Sequence, residues 1–199
     1  MKIHLNNALK ASQSYEDYYK MVMALALEGK TTGPNTSEDY STYTRLNARR
    51  MKRWEKTLSI SDGLEAEIRA LQKPMLWLVL TESWCGDAAP ALPVMNKVAQ
   101  ASPNISLRVA LRDEHLGLIG HFLTKGAMSI PKLLQLEPET LRVLNTWGPR
   151  PEPATRMVED YKAAHGSLTA SFREELQAWY NKDKGKSTMK ELVQLLFLE

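Results

Sequence analysis

Apolar positions in this chain follow a helical period at both ends and a strand period in the middle. Tyr15, Tyr18, Tyr19, Val22 and Ala26 recur at three- and four-residue steps, which predicts a helix running to about Glu28. Gly33-Pro34 is turn chemistry, and Thr36 or Ser37 followed by acids predicts the start of a second helix. That helix would carry Tyr40, Tyr43, Trp54 and Leu58 near one stripe. From Ile60 the pattern changes. "SDGLEAEIRALQK" predicts a short amphipathic helix capped by Ser61 or Asp62, and "PMLWLVLT" is too short and too uniformly apolar for a surface helix, so it predicts a buried strand. Residues 88 to about 101 predict a helix with Leu92, Met95, Val98 and Ala99 inward, stopped near Ser102-Pro103. "ISLRVAL" alternates as a strand does.

Strand, helix and strand in that order form a βαβ unit with parallel strands and a right-handed crossover. A third helix is predicted from about Glu114 to Lys125, then a strand in "GAMSIPKLLQL", a hairpin turn at "EPET" and a last strand in "LRVLNTW". The fold class is therefore α/β, a central sheet with helices on both faces. The tail predicts helices over Glu152 to His165 and Leu168 to Tyr180, separated by Gly166. After "NKDKGKS", Thr188 with Glu191 forms a capping-box pattern, and Met189, Leu192, Val193 and Leu196 make an apolar stripe. This last helix docks on its own domain or on a second copy, the latter giving a homodimer. The loop "TWGPRPEP" is proline-rich and placed to border any site at the sheet edge.

Composition sharpens the picture. With 199 residues, 43% of them hydrophobic, the chain buries a core of its own and suits one domain with additions. The expected division is a helical N-terminal extension over 1–59, a central domain over 60–182 and a C-terminal helix over 183–199. A net charge of +3, from 26 basic and 23 acidic residues, argues against a nucleic-acid or anionic-membrane partner. The predicted second helix still concentrates Arg45, Arg49, Arg50, Lys52, Arg53 and Lys56, either a solvated face or a hold for an acidic partner. The single cysteine excludes an internal disulfide and fits a reducing compartment. The opening residues lack the apolar run of a signal peptide, and no long apolar span follows, so the expected location is cytoplasmic.

That cysteine, Cys85 in "TESWCGDAAPALP", falls between the first predicted strand and its helix, at the carboxyl edge of the sheet, where open α/β folds place their chemistry. Unpaired backbone N–H groups and the helix dipole there favour a thiolate, whereas Glu82 and Asp87 oppose one. The sign of the net shift stays open. His115 and His121 do not share a helix face, and with one cysteine no protein-only metal site is expected.

The run Trp84-Cys85-Gly86-Asp87-Ala88, with Pro93 in the helix beyond, resembles the Trp-Cys-Gly-Pro-Cys motif of the thioredoxin family and the proline that kinks its active-site helix. "KGAMSIPKLLQL" is similar to that family's cis-proline segment, with Ile130-Pro131 at the cis bond. The resemblance, over roughly residues 60 to 180, implies a thioredoxin-like sheet with helical extensions at both ends. It also implies that the Ile130 backbone pairs with an extended substrate segment while Trp84 and Gly86 shape the groove around a reactive, exposed sulfur. The departures bear on activity. Ala88 stands where the resolving cysteine would be, Asp87 replaces the motif proline, and Val79 occupies the place of the buried acid that serves the second thiol. These features imply a monothiol thiol–disulfide oxidoreductase acting through Cys85 on protein or peptide disulfides, resolved by an external thiol such as glutathione. The alternative is a non-catalytic peptide-binding module on the same fold. An iron–sulfur cluster shared with glutathione, as in monothiol glutaredoxins, requires a pattern from which Cys-Gly-Asp-Ala departs.

Overall fold

The computed structural model describes residues 1–198. The chain begins with α1 (Lys2–Ala11), α2 (Tyr15–Glu28), α3 (Glu38–Thr57) and α4 (Asp62–Arg69), then enters the sheet at β1 (Met75–Thr81). There follow α5 (Ala88–Gln100), β2 (Ile105–Leu111), a 3-10 turn at Arg112–Glu114, the one-turn α6 (Leu116–Ile119), β3 (Lys132–Leu136) and β4 (Val143–Trp147). The chain closes with α7 (Glu152–His165), α8 (Ala170–Asp183) and α9 (Lys186–Leu196). The strands form one sheet in the order β2-β1-β3-β4, with β1 parallel to β2 and the other neighbours antiparallel. The crossover from β1 to β2 runs through α5, as the βαβ pattern predicts. No helix among the described residues is long and apolar enough to cross a membrane.

Alternation along β1 divides the core. Trp77 and Val79 enter a cluster with Leu92 and Met95 of α5, Tyr18 and Val22 of α2, Met51 of α3 and Leu192 of α9. Leu78 and Leu80 point the other way, onto Leu134, Leu118, Ile119, and Leu5 and Ala8 of α1. β1 is covered on both faces, so it reads as a continuous apolar run rather than an alternating one.

The helix predicted over Glu114 to Lys125 is not formed beyond Ile119. Gly117 and Gly120 weaken it, and the chain then turns into a tight pair in which Thr124 and Ala127 exchange backbone hydrogen bonds of 2.9 and 3.0 Å. α1 covers the second face instead. The His4 ring sits over Gly117 so closely that a Cβ there would lie 2.6 Å from His4 Cε1, and Gln13 adds a bridge to Val109 at the edge of β2. Leu5 is 1% exposed beneath α1. We expect Leu5→Ala to cost about 2–4 kcal/mol, read as a lower urea midpoint at unchanged slope. A loss within about 0.5 kcal/mol would mean that α1 is not part of the core.

The predicted capping box at Thr188 and Glu191 does not form either. α9 starts at Lys186 behind Gly185, which leaves Thr188 inside the helix and buried. Glu191 instead accepts the Trp147 indole N–H at 2.7 Å and the Glu152 backbone N–H at 2.6 Å, so it serves the start of α7. The apolar stripe of α9 docks on its own domain, with Met189, Leu192, Val193 and Leu196 all in the main core. On α3 the buried face is Ser41, Thr44, Asn47, Ala48, Met51 and Trp54, rather than the predicted stripe through Tyr40 and Tyr43. A third cluster joins Trp54 to Val158 of α7 and to Phe172, Leu176 and Tyr180 of α8.

Candidate functional site

The six residues between β1 and α5 are fastened from outside the sheet. Ser83 donates its backbone N–H to Thr32 Oγ1 (2.9 Å), its hydroxyl bonds Thr44 Oγ1 (2.9 Å), and its carbonyl accepts from Asn47 Nδ2 (2.9 Å). Thr44 and Asn47 escape a reading by period because they interrupt the apolar face of α3, and Thr32 because it lies in the loop before that helix. The signal was present in that interruption: small polar residues at Ser41, Thr44 and Asn47 on a helix that packs inward need a hydrogen-bonding partner there.

Cys85 follows. It is 5% exposed, and its thiol donates to the Ile130 carbonyl at 3.2 Å, immediately before a cis Ile130-Pro131 bond. Burial pushes the thiol up to about 12 and the neighbouring Asp87 charge adds to the rise, against the backbone N–H groups of Ala88 and Asp87 and the Arg150 charge. The sign left open by the sequence is thus upward, and the sulfur is buried, not exposed as the motif implies. The helix-terminus amides are present, but they do not offset the loss of water around the sulfur.

Of the two carboxylates placed beside the thiol by the sequence, Asp87 acts on it and Glu82 does not. Glu82 is fully buried and turns away, with Oε1 accepting the Asp113 backbone N–H at 2.8 Å and Oε2 lacking a partner; burial raises its pKa. Asp87 pairs with Arg150 at 2.6 Å through Oδ2 and accepts the Tyr180 hydroxyl at 3.0 Å through Oδ1. Arg150 comes from the proline-rich loop after β4 and Tyr180 from α8, so the C-terminal additions reach the cysteine loop. Gln177, also on α8, donates to the Gly86 carbonyl at 3.1 Å.

Above the sulfur lies a cleft of about 530 Å³ between α3 and α8. Trp84, Cys85, Gly86 and Ile130 all line it. Pro131 is buried behind Ile130, so the isoleucine rather than the proline meets the cleft. The Trp84 ring is held between the Tyr40 edge, 4.8 Å centroid to centroid, and the Arg112 guanidinium, 5.0 Å from its centroid. Tyr40, Arg50, Arg173 and Gln177, lining residues from the additions, were not legible as site residues because nothing in their local sequence ties them to Cys85. Among the described residues no group of three or more His, Cys, Asp or Glu side chains is placed to hold a metal ion.

An open sheet with a cysteine at the start of its crossover helix, bonded to the residue before a cis-proline, defines a thioredoxin-fold protein. The chain belongs to the thioredoxin family: a family model described as thioredoxin matches residues 33–162, a span that takes in α3. Among solved structures it is similar to a protein of unknown function from Pseudomonas aeruginosa, at 18% identity and a TM-score of 0.58, over 78% of this chain and 84% of that one. It is also similar to an HIV epitope scaffold, at 16% identity and a TM-score of 0.56, over 92% of this chain and 98% of that one. At these identities the likeness is one of fold. No curated protein matches the chain.

Proposed function

We propose that this protein is a thioredoxin-fold binding module that holds an extended peptide segment in the cleft over Cys85. The observation that carries this reading is the state of the sulfur: a buried thiol, bonded to Ile130 and raised to about 12, forming the floor of a cleft open above it. A volume of about 530 Å³ suits a few residues of peptide, and strand-like pairing along the Ile130 backbone would hold them without demanding a particular sequence. Trp84 supplies a rigid aromatic wall of the kind that anchors such contacts.

Monothiol exchange is the second reading, favoured by the backbone N–H groups of Asp87 and Ala88, which bear on the sulfur and stabilise a thiolate once formed. In that reaction the Cys85 proton leaves to solvent and the thiolate attacks one sulfur of a substrate disulfide. The Cys85–substrate bond forms as the substrate bond breaks, and the departing sulfur takes up a proton. With Ala88 in place of a second cysteine, an external thiol such as glutathione must then attack the mixed disulfide, releasing Cys85 and joining the substrate sulfur to its own.

Capture of a synthetic library of capped peptides separates the two. Under reducing conditions the binding reading expects Cys85→Ser to retain the same peptides as the parent chain. Recovery only from the parent, only without reductant and only of disulfide-linked species would establish exchange in its place.

A further inference from the structure

Building on the peptide-binding reading, we propose that the cleft selects segments carrying carboxylate side chains and reads them with Arg50 of α3 and Arg173 of α8. The charge around the cleft is unbalanced. Four guanidinium groups line it, those of Arg50, Arg112, Arg150 and Arg173, against the carboxylates of Asp39 and Asp87. Arg150 is neutralised by Asp87 at 2.6 Å and Arg112 by Asp113 at 2.7 Å. Arg50 and Arg173 have no carboxylate within ion-pair distance among the described residues. Their hydrogen bonds go to neutral groups: Arg50 donates to Asn47 Oδ1 at 3.0 Å and Arg173 to the Tyr43 hydroxyl at 3.1 Å.

Arg50 is half-buried, and a Cβ added at Gly86 would lie 3.8 Å from its Nη1, so the guanidinium stands beside the residue that follows Cys85. Burial lowers its pKa and Arg53 beside it adds to the effect, while the Asp87 charge, itself paired with Arg150, opposes it from beyond ion-pair distance; arginine keeps its proton in proteins. A charge half withdrawn from water without a direct ion pair is costly, and an entering carboxylate lowers that cost while gaining a forked pair of charge-assisted hydrogen bonds. Arg53 and Arg45, on the same helix, are engaged elsewhere, with Asn181 and Thr42 respectively. The basic run on α3 is therefore not uniform: its geometry gives Arg50 to the cleft. An extended segment directs alternate side chains to one wall, so acids at alternate positions would meet the two arginines in turn.

The test uses the full chain and a library of capped random peptides, with the composition of the captured fraction read by mass spectrometry. Captured peptides are expected to be enriched in Asp and Glu, falling on the order of tenfold in retention for Arg50→Gln or Arg173→Gln. Arg50→Lys and Arg173→Lys should recover part of the preference, raised salt should weaken it, and circular dichroism should report an unchanged fold for all four variants. Capture without acid enrichment, or enrichment that survives both glutamine substitutions, overturns this inference and leaves the binding reading standing. Capture of nothing overturns both.

Discussion

At pH 7 Cys85 is expected to react with iodoacetamide about a hundredfold more slowly than an unstructured cysteine, and its rate should keep rising far into the alkaline range. Two opposed effects set this rate. A thiol raised to about 12 carries about three thousandfold less thiolate at neutral pH than one near the free value of about 8.5. The rarer thiolate is also more nucleophilic, by a Brønsted slope of about 0.4–0.5, which returns roughly 25- to 55-fold. Limited access to a residue 5% exposed slows the reaction further. Asp87→Asn should bring the midpoint down, because it removes the nearest negative charge while an amide can still accept from Tyr180 or Arg150. A parent midpoint at or below about 8.5 would reverse the ranking of the two functional readings.

The same shift fixes how stability depends on pH. Folding raises the Cys85 pKa, so the folded chain holds this proton more tightly than the unfolded chain. Its contribution is present in full below the unfolded value of about 8.5 and is lost as pH climbs toward about 12. Cys85→Ala, which lacks the thiol, should show a flatter decline of stability over that window.

The second large effect lies in the ion pair beside the cysteine. Arg150→Met is expected to destabilise the chain by about 3 kcal/mol, since it leaves the Asp87 carboxylate, 8% exposed, with only the Tyr180 hydroxyl. Asp87→Asn together with Arg150→Met should recover most of that loss, because no uncompensated charge then remains. Urea denaturation of both single variants and the double variant gives the coupling directly. If Arg150→Met cost less than about 1 kcal/mol, the pair would be acting as an exposed surface bridge.

Much of the frame was legible in residue order. Met75–Thr81, Ala88–Gln100 and Ile105–Leu111 fall where the change of period puts them, and Glu152–His165 matches its predicted span. Cys85, Trp84, Gly86 and Ile130 converge because strand, turn and helix place three of them and the Ile130-Pro131 segment brings the fourth. The misreadings have different causes. Leu116–Ile119 stops early because Gly117 and Gly120 weaken the helix, and α1 covers that face of the sheet, whereas Glu191 serves α7 rather than its own helix because Trp147 and Glu152, distant in the chain, take its carboxylate.

The order of residues by itself determined an α/β sheet and the place of its one thiol, since hydrophobic period and turn chemistry act within a few residues, and the motifs at Cys85 and Ile130-Pro131 carried the resemblance to the thioredoxin family. The tertiary structure alone decided the state of that thiol and the chemistry around it. Burial, the Asp87 pair with Arg150, and the two arginines without a direct ion pair arise from segments more than a hundred residues apart at the extreme, and solvent exclusion and charge act through space rather than along the chain.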